Sequence, residues 1–112
     1  MINNCTITAI ATPTGLSAGA ETYSTETLSP AIRCQAAQPT RRQRYEFGAL
    51  IADATLVLRI REHDLGSRDL VEKSRMTLAI DGRPSRTAGV LKVTEPSKPN
   101  LRAWTVFLSE GN

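Results

Sequence analysis

The chain has 112 residues, of which 40% are apolar and only 4% are aromatic, and it carries a formal net charge of +3 with a pI near 9.2. This length predicts one domain with a single, modest, aliphatic core. The charge is too low for the dense basic surface of a dedicated nucleic-acid-binding protein, and no apolar run reaches the roughly 18 residues of a membrane helix.

The N-terminus shows neither the basic nor the apolar region of a signal peptide, so we expect a protein that stays in a cytoplasm until it is assembled. The two cysteines, Cys5 and Cys34, lack the spacing of a zinc site. A disulfide is feasible if their segments pair as strands. Two buried thiols are the favoured interpretation, because disulfides are rare in the cytosol.

Residues 1–10 alternate in the manner of a short strand, or of an arm that orders against a neighbour. Residues 11–27 are rich in Ala, Thr, Ser and Gly and contain little apolar mass. Such a segment buries too little surface to offset the entropy of ordering it. We therefore predict a flexible loop or an extended arm over residues 11–27.

Residues 28–37 regain alternation, with Ile32, Cys34 and Ala36 on one face of a predicted strand. The next segment, residues 38–47, reads QPTRRQRYEF and holds the densest positive cluster of the chain. Thr40 could cap a short helical turn through Gly48.

Arginines beside aromatic rings can bind phosphate and stack on bases. The candidate contacts to DNA or to a partner protein are therefore Arg41, Arg42, Arg44, Tyr45 and Phe47. The alternative is a solvated loop in which one of the two aromatic side chains closes the edge of a barrel.

Residues 54–65 contain the most regular apolar run, in which Leu56, Leu58 and Ile60 alternate with polar residues and Val57. A period of two predicts a half-buried strand, because a helix places apolar residues three and four positions apart. We expect this strand to be the centre of the sheet.

Three more strands are predicted over residues 75–80, 86–94 and 102–109, with a turn at Asp81 and Gly82, a bulge at Gly89 and a loop over residues 95–100. Between the central strand and these, residues 65–73 are expected to dock through Leu70 and Val71. The last strand carries bulk on both faces, which suggests cover by another subunit. The predicted core comprises Leu56, Leu58, Ile60, Leu78, Ile80, Val106 and Leu108.

Residues 1–112 thus predict one all-β domain, a small antiparallel barrel or sandwich of about six strands with a long flexible loop. No sequence motif of a nucleophile, a phosphate-binding loop or a zinc protease is present. The one histidine, His63, lies beside Glu62 and Asp64 at a strand end without a second His or Cys nearby. We predict no catalytic residue, no metal site and no cofactor.

From Leu28 onward the order of segments resembles the head–tail joining proteins of tailed bacteriophages, also called head-closure, stopper or head-completion proteins. An early strand leads to a strand that ends in the sequence IREHD of residues 60–64. A charged segment (residues 67–71), the strand MTLAI, the strand GVLKV and a terminal aromatic strand WTVFL follow in that order.

This resemblance implies a virion structural protein that forms a homo-oligomeric ring at the head–tail interface, and that is assembled in the host cytoplasm. The implied partners are portal or adaptor ring proteins and tail proteins, with packaged DNA as a further contact and no membrane. The isolated chain is expected to be a monomer. Residues 11–27 and 38–47 would be the loops that reach the channel or the neighbouring ring.

Two other classes of function are open at this stage. In an OB-like nucleic-acid-binding barrel, Tyr45 and Phe47 would stack on bases beside the arginines. A small enzyme is the other class, and nothing in the sequence supports it.

Overall fold

The computed structural model describes residues 3–66, 68, 70–94 and 103–110. All strand pairs are antiparallel, and the sheet closes into a barrel in the order β1-β2-β3-β6-β5-β4. This confirms the predicted all-β fold of about six antiparallel strands, and of the two predicted alternatives, barrel and sandwich, it is the barrel. The strands are β1 (Cys5–Ser17), β2 (Ala20–Ala37), β3 (Leu56–Arg61), β4 (Arg75–Ile80), β5 (Arg86–Thr94) and β6 (Ala103–Ser109).

Strand β3 lies between β2 and β6 in the barrel wall. Leu58 is opposite Ala36 of β2 and Val106 of β6, and its side chain is fully buried. The period-two pattern therefore predicted correctly which face of β3 points into the core. Of the seven predicted core residues, six are buried in one cluster and the seventh, Ile80, is half-buried against it.

Three short helical segments complete the described structure: α1 (Arg41–Phe47), a 3₁₀ turn (Gly48–Ile51) and α2 (Glu62–Leu65). None of the helices in the described ranges is long and apolar enough to cross a membrane.

A second, smaller core lies on the outer face of the barrel. It consists of Ile51, Ala54, Val57 and Phe107, and Phe47 and Leu91 pack against it. The segment 47–54 thus covers the outward side chains of β3 and β6. The chain itself buries the large side chains on both faces of β6. Phe107 therefore does not need the second subunit that we expected to cover it.

The prediction of a loop over residues 11–27 was wrong in its secondary structure. The segment is the outer part of a hairpin in which β1 pairs with β2 from Ala9 opposite Thr27 to Ser17 opposite Ala20. A two-residue turn at Ala18 and Gly19, both with positive φ, joins the strands. Such φ values are typical of hairpin turns and favour glycine. The structure agrees with the extended arm that was the second alternative.

This hairpin extends beyond the barrel wall. Strand β4 pairs with β1 only as far as Ala11, and β3 pairs with β2 only from Gln35 to Ala37. We call residues 12–27 the arm. The outer edges of both of its strands therefore have no backbone partner among the described residues.

The arm leaves the barrel at an irregularity in β2. Ile7 is opposite Ile32, but two residues later Ala9 is opposite Thr27, so residues 28–31 face a single residue of β1. Extra residues on one strand bend it and increase its twist. Leu28 is buried at this bend and ties the start of the arm to the core.

Three smaller expectations differ from the structure or lie outside it. Gly89 pairs regularly with Arg75 and Ser109, and the irregularity of β5 lies between Val90 and Lys92. The segment after α2 docks through Leu70 alone, because Val71 is exposed. The loop expected over residues 95–100 lies outside the described residues.

Candidate partner-binding surface

The helix α1 carries all five residues that the sequence singled out, and local hydrogen bonds define both of its ends. The Thr40 hydroxyl accepts from the Gln43 backbone N–H at 3.1 Å, and the Gln43 side-chain oxygen accepts from the Thr40 N–H at 2.9 Å. This is a capping box, and it satisfies two backbone donors at once. At the other end the Gly48 N–H donates to the Arg44 carbonyl. The helical turn that Thr40 predicted is confirmed.

Two of the five predicted residues hold the helix in place. The Phe47 ring packs against Phe107 with its centroid 5.2 Å away and the planes tilted by 59°. The Arg44 guanidinium donates a hydrogen bond of 3.0 Å to the Ala54 carbonyl, just before β3. Of the two aromatic residues of α1, Phe47 is therefore the one that packs against the barrel, on its outer face.

The other three predicted residues lie on the solvent side of the helix. Arg41, Arg42 and Tyr45 are exposed, and Tyr45 is 92% exposed. Spacings of three and four residues place them on one side of a helix. Leu50, in the following 3₁₀ turn, is 61% exposed. We call these four residues the cap surface.

Exposed tyrosine and arginine together are typical of protein interfaces, where they supply most of the binding energy. Tyr45 is the one strongly exposed aromatic side chain among the described residues. An exposed tyrosine that packs against nothing in its own chain is well suited to bury its ring against a partner.

A groove of about 150 Å³ borders α1 on the side of β2 and β3. Thr40 and Gln43 line it from the helix, and Gln35 and Arg59 line it from the strands. The alternation of β3 places Arg59 on the outer face of this strand. Its position near α1 depends on the fold and could not be predicted from the alternation alone.

The arm is the second exposed feature, and two arginines hold it to the barrel. Arg68 pairs with Glu26 through its Nε and Nη2 atoms at 2.8–3.0 Å, and Arg75 lies over the Tyr23 ring with 4.8 Å between Cζ and the centroid. The hydrogen bond from Arg68 holds the pKa of Glu26 below its usual value. At the tip of the arm Leu16 is 73% exposed.

Arg33, in the barrel part of β2, is satisfied within the chain. Arg33 donates to both carboxylate oxygens of Asp81 at 2.9 and 3.0 Å, and this hydrogen bonding lowers the pKa of Asp81. Arg33 also donates to the Thr6 hydroxyl and the Asn3 carbonyl. This network fastens the start of β1 and the turn after β4 to β2, and its role is structural.

His63 lies in α2, beside a shallow groove that Arg61, Glu62 and Gly66 also line. Among the described residues no group of three His, Cys, Asp or Glu side chains could hold a metal ion.

A scan against protein-family models found no match, and neither the curated proteins nor the solved structures contain one that matches this chain significantly.

Proposed function

We propose that this protein is a virion structural protein of a tailed phage or prophage, which forms a ring at the head–tail connector, closes the DNA-filled head and joins it to the tail. The observation that carries the proposal is a small closed barrel with two exposed features, the arm and the cap surface, whose side chains the barrel does not need for its core.

The arm supports this role because it offers backbone edges and hydroxyl side chains rather than a pocket. Its two strands are paired with each other, and their outer edges have no described partner. Free strand edges readily pair with another chain. In a ring, such an arm would contact the neighbouring subunit or the next ring.

The cap surface supports the role through its chemistry. Arg41 and Arg42 provide two exposed positive charges beside the Tyr45 ring. Such a surface would bind an acidic patch of a portal, adaptor or tail protein, with packaged DNA as the other candidate contact.

The order of elements is also consistent with the resemblance noted in the sequence. Strand β3 ends at Arg61, and Asp64 follows within α2. The segments MTLAI, GVLKV and WTVFL lie within β4, β5 and β6.

A nucleic-acid-binding barrel is the alternative, and the placement of the aromatic residues argues against it. Phe47 is packed on Phe107, so it is not free to stack on a base. Tyr45 alone would have to do so. OB folds have five strands in a partly open barrel, whereas six strands close this one.

The proposal can be tested by deleting the gene from the phage or prophage genome that carries it. We expect lysates with DNA-filled heads that lack tails or leak, as seen by electron microscopy. Wild-type protein supplied in trans should restore tailed virions, whereas the variant Arg41→Ala/Arg42→Ala/Tyr45→Ala should not. Lys73→Ala/Arg83→Ala, which removes the same charge from other exposed positions, should restore them. Normal virions without the gene would contradict the proposal.

The alternative predicts a different result with the isolated protein. Fluorescence anisotropy with labelled oligonucleotides over a salt series should show weak binding if the protein works in a ring. A nucleic-acid-binding barrel would bind tightly and lose affinity steeply with salt, because each neutralised phosphate releases a counterion. Tight binding that is lost in the cap-surface variant would favour that alternative.

A further inference from the structure

The two cysteines of the chain lie directly opposite each other in the sheet. Cys5, the first residue of β1, is the register partner of Cys34 in β2. Residues that face each other in an antiparallel pair have Cα atoms about 4.5–5.5 Å apart. Disulfides require a Cα separation of about 4.4–6.8 Å, so this pair can be bridged without moving the backbone far.

Both side chains point into the barrel, where Cys5 is 0% and Cys34 is 1% exposed. Both are free thiols, and their side chains hydrogen-bond to each other. The hydrogen bond from Cys34 holds the pKa of the Cys5 thiol below its usual value, while the same bond and burial raise the pKa of Cys34. The direction of these pKa shifts favours Cys5 over Cys34 as the thiol that reacts.

The pair lies where β1 begins. The residue before Cys5 is held by several hydrogen bonds: the Asn4 side chain exchanges two with the backbone of Ala36, the Asn4 N–H donates to the Cys34 carbonyl, and the Asn4 carbonyl accepts from the Asp81 N–H. These bonds and the contacts of Arg33 must open locally before a reagent can reach the thiols. Strand ends open at a lower free energy than the middle of a sheet. A small uncharged molecule can reach the thiols through such an opening.

We propose that Cys5 and Cys34 form a reversible intramolecular disulfide when the protein meets hydrogen peroxide. The Cys5 thiolate attacks one peroxide oxygen and becomes a sulfenic acid, and the other oxygen leaves as hydroxide, which takes up a proton to give water. The Cys34 sulfur then attacks the Cys5 sulfur, the S–S bond forms, and the hydroxyl group leaves with the Cys34 proton as a second water. The two thiols are oxidised by two electrons and the peroxide is reduced.

The bond would close a covalent loop over residues 6–33, which contains the whole arm. It would fix the start of β1 to β2 on the barrel side of the bend at residues 28–31, and so prevent β1 from leaving the barrel. A thiol reductant reverses it by exchange. This inference concerns the barrel alone and does not depend on the proposed function.

The test uses the full-length reduced protein, treated with hydrogen peroxide and then alkylated with N-ethylmaleimide under denaturing conditions. We expect an intact mass that has lost two hydrogen atoms and taken up no label, and a linked peptide pair containing Cys5 and Cys34. Dithiothreitol should restore two labelled thiols. The single variants Cys5→Ala and Cys34→Ala should not form the intramolecular bond, and the wild-type result is decisive even if either variant folds poorly.

Several results would overturn the proposal. These are two labelled thiols after peroxide treatment, a disulfide-linked dimer instead of an internal bond, or a wild-type product that stops at sulfinic acid. The oxidised protein should also melt higher than the reduced protein, by roughly 10 °C, as expected for closing a loop of this length in a small domain. An oxidised form that melts no higher would refute the claim that the bond fixes β1.

Discussion

Leu58 lies in the middle of β3, fully buried between Ala36 and Val106 of the neighbouring strands. Shortening it leaves a cavity that the surrounding strands can fill only in part. We therefore expect Leu58→Ala to lower the free energy of unfolding by about 2–5 kcal/mol, measured by urea denaturation.

Val71 provides the control for Leu58, because it is apolar but 42% exposed. Val71→Ala should change the free energy of unfolding by less than about 0.5 kcal/mol. If Leu58→Ala were no more costly than Val71→Ala, the inward face of β3 would have been assigned incorrectly.

Arg44 and Arg41 are three residues apart in the same helix, but only Arg44 bonds to the barrel, through the Ala54 carbonyl. We expect Arg44→Ala to lower the free energy of unfolding by about 1 kcal/mol, the usual contribution of an intramolecular hydrogen bond. Arg41→Ala should have an effect within about 0.5 kcal/mol. Thermal unfolding of the two variants measures the difference, and equal effects would show that the Arg44 bond contributes nothing.

The sequence could identify Leu58 and Ile60 as core residues because alternation is a local property of the strand. It could not separate Arg44 from Arg41 and Arg42, because the role of Arg44 depends on a carbonyl ten residues away. Phe47 was equally undetermined, since its partner Phe107 is distant in sequence. The five candidate residues all lie on α1, and the fold divides them into two supporting and three exposed side chains.

Among the elements, α1 was predictable and the arm was not. The capping box of Thr40 and Gln43 is a local signal, because its two residues are only three positions apart in the sequence. The arm has little apolar mass, and the composition argument for a loop rested on that fact. Backbone pairing of β1 with β2, together with the contacts of Arg68 and Arg75, orders it instead, and none of these is visible in composition.

The contact between Arg68 and Glu26 should make the arm sensitive to acid. Because the pKa of Glu26 is lowered in the folded protein, the contact stabilises the arm above the usual glutamate pKa of 4.5. It is lost as the pH falls through the lowered value. We expect the backbone amides of the arm to exchange hydrogen faster at acidic pH, relative to β3 and after correction for the intrinsic rate.

The matched control for this effect is Glu26→Gln, which keeps the shape of the side chain and removes its charge. After correction for the intrinsic exchange rate, the protection of this variant's arm should no longer depend on pH over this range. At neutral pH its amides should exchange faster than those of the wild-type arm. A wild-type arm whose protection stays constant as the pH falls would show that the ion pair does not hold it. The mobility of the arm in the free subunit is measured in the same experiment.

For the whole molecule, the closed barrel depends on pairings that no single segment reveals. Strand β6 inserts between β3 and β5, and β1 closes the sheet against β4. Alternation shows which face of a strand is apolar, but it does not show which strands are neighbours. The second core on the outer face could not be predicted for the same reason. Ile51 and Phe107 share this core only because β6 lies beside β3.

The oligomeric state is the property of the whole molecule that best distinguishes the proposed role. The chain itself buries Phe107 on the outer face of β6, so this side chain does not need a second subunit to cover it. We therefore expect analytical ultracentrifugation to show a monomer at low concentration, with ring formation dependent on the neighbouring ring. A tight dimer with two-fold symmetry would contradict this role, because a self-complementary contact uses the same patch on both subunits and leaves no surface for cyclic growth. The arm-tip variant Leu16→Ser should sediment as a monomer like the wild type. If the wild type were a dimer and this variant a monomer, the arm would be identified as the two-fold contact.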